Sequence, residues 1–178
     1  MNPPIRLFVL LALFAPGLAL ADGERVIINE QTDECTLFRT LNGEAVPDRC
    51  KDDSKSIIKI TPQPGVLGSV NFHSNSARLT ADSTVILAHV AKVMSDQVSA
   101  GQAYRVDGHT DVVGDFHYNL RLSNRRADSV RDFLLEQGVP PERISSQGFG
   151  SLRLADPQNP TSLANRRVEV VNLSQGQN

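Results

Sequence analysis

The chain has 178 residues, of which 40 % are hydrophobic and 21 % are charged, an ordinary composition for one or two small globular domains. Its formal net charge is −2; Arg6 is the one charged residue among the first 21, which leaves 17 Lys and Arg against 20 Asp and Glu in the remainder. No basic cluster is present that could follow a phosphate backbone, so the sequence argues against a nucleic-acid partner.

Residues 1–21 have the pattern of a secretory signal peptide. A single arginine precedes the apolar stretch Leu7–Ala15, Pro16-Gly17 interrupts it, and Ala19-Leu20-Ala21 offers an Ala-x-Ala cleavage site. An N-terminal membrane anchor is the alternative, but the apolar core is much shorter than the roughly 20 residues of a membrane span. Asp22 rather than a cysteine follows the small residues, so no lipid attachment is expected. No later stretch is long enough for a span, which predicts an exported, soluble mature protein.

Residues 22–64 are predicted to form a small β extension with its own turns. Three segments fit short strands: Val26–Ile28, Thr36–Thr40 and Ile57–Ile60. Two prolines and a glycine in the segment 61–65 interrupt pairing on either side and predict a linker. The sequence does not indicate what this extension contacts; another envelope protein is one candidate partner.

Cys35 and Cys50 are the two cysteines of the chain. Export to an oxidising compartment predicts a disulfide between them, and closing that loop would stabilise the fold by roughly 3 kcal/mol. A free redox pair is the alternative, but the spacing is not Cys-x-x-Cys and no strand–helix redox context surrounds it.

Residues 65–173 alternate between strand and helix patterns. Strands are predicted at Ser69–Phe72, Tyr104–Gly108, Ile144–Phe149 and Val168–Leu173, with one helix over about Thr80–Gln97 and a second that ends at Gly138. Alternating strands and helices predict an α/β (α+β) sandwich in which helices pack on a sheet. The polar tail 174–178 is expected to be disordered.

The stretch Gly108–Arg126 carries the charges that indicate a site. Asp111 follows the end of a strand, and Arg126 is predicted in the opening turns of the next helix, where the positive end of the helix dipole would favour a bound carboxylate. With 100° per residue and Leu122 at zero, Arg126 lies at about 40° and Val130 at about 80°. Arg126 is therefore expected on the apolar side of the helix.

The two neighbouring arginines of the same helix differ from Arg126. Arg121 and Arg125 fall at about 260° and 300°, outside the apolar arc, as solvated charges. An arginine on a core-facing stripe needs a partner, and Asp111 is the nearest candidate. The pair would be either a structural ion pair or the two halves of a receptor for a zwitterion, with the carboxylate facing an ammonium and the guanidinium gripping a carboxylate.

Catalytic and metal-binding patterns are weak by comparison. His109, Asp111 and His117 are close in sequence, but three candidate ligands spread over a loop are a poor indication of a metal site. The chain has no Gly-x-Ser-x-Gly elbow, no His-Glu-x-x-His and no phosphate-cradling glycine loop. We therefore expect no enzyme, no metal and no cofactor, and a packing role for His109.

Several motifs recur in the order of a known family. They are Gly108-His-Thr-Asp111, Tyr118-Asn119-x-x-Leu122-Ser123, Arg126-Ala127 with Val130, Gly148-Phe-Gly150 and Asn165-Arg-Arg-Val168. This pattern resembles the OmpA-like peptidoglycan-associated domain over roughly Gly68–Leu173. The resemblance implies a βαβαβ core, here with an additional strand.

The resemblance also implies a ligand and the residues that bind it. Members of that family recognise the diaminopimelate of the peptidoglycan stem peptide, whose free end carries an ammonium and a carboxylate. Asp111 would accept the ammonium and Arg126 would clasp the carboxylate. Four further positions match the same pocket: Thr110, Asn119, Leu122 and Asn75.

Two positions qualify this assignment. Relatives commonly have an apolar residue where this chain has Ser74, so the first wall of the pocket is more polar than usual and Asn75 is a weaker candidate. Arg166 shares the face of Val168 and Val170 by period two, which predicts an inward-pointing side chain that supports the pocket or serves only the fold.

The predicted function is non-catalytic binding of peptidoglycan by a periplasmic, cell-wall-associated protein. The alternative is an interaction module of an envelope complex that uses the fold without binding murein, because fold alone does not fix function.

Overall fold

The computed structural model describes residues 27–28, 32–43, 46–50, 65–67, 70–73 and 75–174. Several sequence predictions therefore lie outside the described residues: the signal peptide 1–21, the strand Ile57–Ile60, the linker residues 61–64, the wall residue Ser74 and the tail residues 175–178. Ser174, the first residue of that tail, accepts a hydrogen bond at its hydroxyl from the Ala103 amide at 2.9 Å.

A five-stranded mixed sheet forms the centre of the fold, in the order β1-β2-β5-β3-β4. Its strands are β1 Ile27–Ile28, β2 Gly65–Leu67, β3 Tyr104–His109, β4 Ile144–Gly150 and β5 Val168–Asn172. Strand β3 runs parallel to β4 and antiparallel to β5, and β2 pairs antiparallel with β5 and parallel with β1. Together with the helices this is the predicted α/β sandwich, so the fold class is confirmed.

Within the described ranges, three α-helices accompany the sheet: α1 Glu34–Asn42, α2 Ala81–Ser95 and α3 Phe116–Glu136. Helix α3 begins where the Asp115 carboxylate accepts a hydrogen bond from the Tyr118 amide at 2.7 Å. It ends before Gly138, whose φ of 94° is the left-handed conformation that glycine adopts at helix ends. The predicted glycine stop is confirmed.

The glycines of the strand ends allow α3 to lie directly on the sheet. A side chain at Gly108 would collide with the Ser123 backbone carbonyl, and one at Gly148 with the Asn124 backbone. The contact is also polar, because Asn124 accepts a hydrogen bond from the Gly148 amide at 2.8 Å. Glycine is thus required at both positions for the helix to approach.

Helix α1 corrects the predicted β extension. The strand expected at Thr36–Thr40 is wrong: this segment is helical, and the Asp33 carboxylate caps it by accepting from the Thr36 amide at 3.0 Å. Leu37, Phe38 and Leu41 are buried on its inner face. They recur at one helical turn, so burial against the rest of the fold overrides the β preference of the threonines and phenylalanine.

The inner face of α1 joins the same hydrophobic core as the sheet. Phe38, Val90 and Val170 belong to one buried cluster, and none is more than 1 % exposed. Polar side chains, most of them buried, connect the layers as well. The Tyr104 hydroxyl donates to Asn42, the Asn42 amide donates to the Ser99 hydroxyl at 2.6 Å, and Asn172 donates to the Leu41 carbonyl at 2.7 Å.

The disulfide between Cys35 and Cys50 is present, with an S–S distance of 2.04 Å, as predicted. The predicted strand Ser69–Phe72 is wrong in position. Gly65–Leu67 forms the sheet strand instead, and within 70–73 a single bridge joins Phe72 to Leu79. This displacement lets Phe72 leave the sheet and pack beside α3.

Among the described residues, no helix combines the length and the apolar character that a membrane crossing requires. The longest, α3, has 21 residues but includes several arginines.

Candidate functional site

A cleft of about 350 Å³ opens between the segment before α2, the end of β3, helix α3 and the loop before β5. The residues that line it are Val70, Asn71, Phe72, His109, Arg126, Leu163, Arg166 and Arg167. Three of them are arginines contributed by two separate elements. Arg166 and Arg167 are each paired with a carboxylate, so among the described residues the cleft's positive charge for an anionic group comes from Arg126.

Arg126 is the half-buried cation of this cleft. It lies on α3 between the buried Leu122 and Val130, as the helical spacing predicts, whereas Arg121 and Arg125 are exposed. Its Nε donates to the Ser76 carbonyl at 3.1 Å, and its guanidinium lies 4.9 Å from the centre of the Phe72 ring. Within the described part of the chain, its two terminal nitrogens donate no hydrogen bond and it forms no ion pair.

The electrostatics of Arg126 follow from this setting. Burial lowers the pKa of the guanidinium, and the positive charges of Arg166 and Arg125 act in the same direction against an opposing effect of Tyr118. The guanidinium remains protonated at neutral pH because the ordinary pKa of arginine is so high. It is a half-buried cation whose terminal donors are unused within the described residues, and a bound carboxylate would compensate its charge.

Asp111 has a different partner from the one predicted. Its Oδ2 lies 2.8 Å from Nε of Arg166, and its Oδ1 accepts from the Val113 amide at 3.1 Å. The direct ion pair with Arg126, one of the two alternatives for these residues, is not formed, and the Asp111 side chain is 8 % exposed. Asp111 does not itself line the cleft; Arg166, which covers it, does.

The start of α3 also changes the predicted role of the helix dipole. The helix begins at Phe116, so Arg126 is the eleventh residue and lies about 15 Å along the axis rather than in the opening turns. The dipole acts within the first turn of a helix. Its contribution at Arg126 is therefore negligible, and the guanidinium itself supplies the positive charge.

Two predicted pocket residues shape the loop that holds Asp111. Thr110 is buried, and its hydroxyl donates to the Asp111 carbonyl at 2.9 Å. Asn119 is buried too, and its amide donates to the Val113 carbonyl at 2.9 Å and to the Asp111 carbonyl at 3.5 Å. Both fix the backbone around Asp111 rather than lining this cleft, and their contact with a ligand stays a prediction.

The other two predicted positions lie apart from the cleft lining. Leu122 is buried on the inner side of α3. Asn75 is exposed, has a φ of 52° and accepts a hydrogen bond from the Tyr118 hydroxyl. That contact ties the turn before α2 to the first turn of α3, and a binding role for Asn75 stays a prediction.

Arg166 differs in position from the sequence prediction. Strand β5 begins at Val168, and Arg166 caps the short helical turn Leu163–Asn165, so the inward orientation inferred from period two is wrong. Its side chain is 51 % exposed. Arg167 is the buried member of the pair, with its Nε 2.6 Å from the Glu169 carboxylate.

His109 packs rather than forming a metal site. It is buried, its ring stacks on Phe149 with centroids 5.5 Å apart, and Glu169 lies 3.7 Å from its Nε2. Over the described ranges no group of three His, Cys, Asp or Glu side chains could hold a metal ion. His117 is exposed in the first turn of α3.

Sequence reasoning missed Phe72, Ser76 and Tyr118 as neighbours of Arg126. The sequence pattern assigned Phe72 to the strand Ser69–Phe72 and so did not indicate that its ring packs against the Arg126 guanidinium. Its aromatic character beside an inward-facing arginine is the one signal that could have indicated the contact.

The model of the OmpA family matches residues 71–169, more than half of the chain. The chain belongs to the OmpA family. The resemblance inferred from the motifs is therefore confirmed, and the match includes all the residues that line the cleft except Val70.

Individual relatives of this OmpA-family chain share only part of it. It is 40 % identical over 107 residues to the probable lipoprotein YiaD of Escherichia coli (strain K12), which covers 57 % of this chain and 47 % of that protein. It is 36 % identical over 113 residues to the outer-membrane lipoprotein YfiB of Pseudomonas aeruginosa, covering 60 % and 64 %. The match thus spans less than two thirds of either relative.

A solved structure agrees with the fold. The OmpA-like domain of FopA1 from Francisella tularensis is similar with a TM-score of 0.51 and 26 % identity, covering 57 % of this chain and 67 % of that one.

Proposed function

We propose that this OmpA-family domain binds peptidoglycan without catalysis, through the diaminopimelate of the stem peptide, and so holds an exported periplasmic protein at the cell wall. Membership of the family and the outer-membrane lipoprotein among the relatives support an envelope role. The observation that carries the proposal is Arg126, a half-buried cation with unused hydrogen-bond donors in an open cleft.

The free end of diaminopimelate matches this cleft in charge. Its carboxylate would be clasped by the terminal nitrogens of Arg126, above the Phe72 ring that already positions the guanidinium. Its ammonium would approach the Asp111 carboxylate, which Thr110 and Asn119 hold in place through the loop backbone. No covalent step is involved, and nothing in this arrangement places a nucleophile beside a base.

A sacculus pull-down tests the proposal. The purified mature protein should sediment with isolated peptidoglycan, and Arg126→Ala should weaken binding by about 1 to 3 kcal/mol because a polar partner is orphaned. Arg126→Lys should also bind poorly, since an ammonium cannot reproduce the planar fork of a guanidinium. Arg121→Ala, which removes an exposed arginine of the same helix, is the matched control and should bind like the wild type.

The same assay distinguishes the alternatives. Prolonged incubation should release no soluble murein fragments, whereas an enzyme would release them. A wild-type protein that fails to sediment would replace the proposal with the interaction module of an envelope complex. A protein partner for residues 22–64 remains a prediction from sequence.

A further inference from the structure

The Asp111 carboxylate already has a cation in this structure. Arg166 Nε lies 2.8 Å from Oδ2, while the Val113 amide donates to Oδ1 at 3.1 Å. Both oxygens are therefore partnered, and the carboxylate is 8 % exposed behind an arginine that lines the cleft. A ligand ammonium cannot reach Asp111 without moving Arg166.

We propose that Arg166 competes with the ligand ammonium for Asp111, so that the ligand carboxylate, and not the ammonium, provides most of the net affinity. The proposal rests on the proposed function, because it concerns how that same site divides its affinity between the two ligand charges. It makes Arg166 a specificity-determining residue rather than a pocket support.

The competition follows from the exchange of one ion pair for another. Asp111 is buried and needs a partner, so it retains Arg166 until another cation replaces it. When an ammonium does so, one ion pair is lost for the one gained, and the exchange contributes little. Arg166 is 51 % exposed, so its release to water is possible without unfolding the turn Leu163–Asn165 that it caps.

Charge in the cleft makes the exchange depend on the ligand carboxylate. Arg126, Arg166 and Arg167 all line the cleft, and Arg166 already disfavours the charged form of Arg126. A guanidinium freed from Asp111 therefore adds an uncompensated positive charge unless an anion arrives with the ammonium. A ligand that carries only the ammonium should hardly bind, whereas one that carries only the carboxylate should retain most of the affinity.

Calorimetric titration of the full mature protein with three synthetic stem peptides tests this inference. One carries zwitterionic diaminopimelate, the second lacks the free amino group, and the third has the free carboxylate amidated. For the wild type we expect loss of the amino group to weaken binding by less than about 3-fold and amidation by more than about 10-fold. The reverse order would overturn the inference without any variant being needed.

Arg166→Gln then tests the competition directly. This variant should bind the zwitterionic peptide about 5-fold to 10-fold more tightly, and loss of the amino group should now cost about 10-fold or more. Arg121→Gln, which removes an exposed arginine outside the cleft lining, should behave like the wild type in all three titrations.

The outcomes separate this inference from the proposed function. If the wild type binds the zwitterionic peptide and Arg166→Gln binds it equally or more weakly, the inference alone would be overturned. No binding of any peptide to the wild type or to Arg166→Gln would overturn both. Binding that appears only in Arg166→Gln would support the inference, because removing the competing arginine would then have made Asp111 available, but it would overturn the proposed function of the wild-type chain.

Discussion

The cleft and the surface around helix α1 use charge in opposite ways. Beside α1, the Glu34 carboxylate lies 2.5 Å from Arg49 and 3.0 Å from Lys92, and Arg49 lies 3.4 Å from Asp96. In the cleft, Arg126 is half-buried and has a carbonyl and an aromatic ring as its neighbours instead of a carboxylate. The ion pairs beside α1 are formed within the fold, as are those of Arg166 and Arg167, whereas the half-buried Arg126 retains donors that a ligand can use.

The two regions nevertheless share one core, and this gives the first test of the comparison. Phe38 of α1 is 0 % exposed, and Phe38→Ala should lower the free energy of unfolding by about 3 to 5 kcal/mol through loss of burial and creation of a cavity. Denaturant unfolding should remain a single transition, and the folded fraction should bind the ligand normally. Val85→Ala, at a position 54 % exposed on α2, should cost little.

A two-step transition for Phe38→Ala would contradict this account. If α1 were lost while the cleft region unfolded at its original denaturant concentration, residues 22–64 would be the independent extension that the sequence suggested.

The disulfide gives a slightly smaller effect on the same region. Cys35 and Cys50 are separated by 15 positions, and replacing both by serine should cost roughly 3 kcal/mol on the chain-entropy model of cross-links. Sacculus binding should persist at temperatures where the variant is folded, because neither cysteine contacts the cleft. Mass analysis of the wild type without reductant should find no free thiol. Loss of binding by the folded variant would show that α1 shapes the site.

The cap of α1 gives the smallest effect. Asp33→Ala should cost about 1 kcal/mol, because it removes the side chain that accepts from the Thr36 amide. Hydrogen bonds from the Thr36 side chain and amide lower the pKa of Asp33 below its ordinary value of 3.8. Its stabilising contribution is therefore complete above that value and is lost as the pH falls through the lower pKa of the folded state.

Asp33→Asn provides the control for this pH dependence. Asparagine is also a good helix cap but does not titrate, so the variant should be close to the wild type at neutral pH and should lose less stability in acid. If the two proteins lost stability equally in acid, titration of Asp33 would not contribute to the pH dependence of stability.

Local patterns predicted the elements around the cleft well. The strand expected at Tyr104–Gly108 extends by one residue to His109, and Ile144–Phe149 extends by one to Gly150. Alternation, helical spacing and the glycine stop are all encoded in neighbouring residues, so a single sequence is sufficient to recognise them.

Tertiary contacts decided the elements that sequence reasoning missed. The Thr36–Thr40 segment favours a strand by residue type, but the Asp33 cap and burial of Leu37, Phe38 and Leu41 make it a helix. The predicted strand Ser69–Phe72 failed because Phe72 packs beneath an arginine of α3 instead of pairing in the sheet. Neither outcome can be derived from local propensity.

For the charged residues of the site, too, local spacing predicted some features and tertiary contacts decided others. Helical spacing placed Arg126 on the inner side of α3, which the structure confirms. The sequence could not decide which arginine pairs with Asp111, because Arg126 and Arg166 are both distant from it along the chain. The pairing depends on how the loop before β5 folds over the cleft and brings Arg166 to Asp111.

The central claim is that the Arg126 guanidinium binds the free carboxylate of diaminopimelate, and a double-mutant cycle between protein and ligand tests it most directly. Calorimetry would compare wild type and Arg126→Ala, each titrated with the zwitterionic stem peptide and with its amidated form. Each single change should cost about 1 to 3 kcal/mol. We expect both changes together to cost clearly less than the sum of the two, because they remove the same contact. Fully additive losses would mean that Arg126 does not touch that carboxylate, and the assignment of this residue would have to be withdrawn.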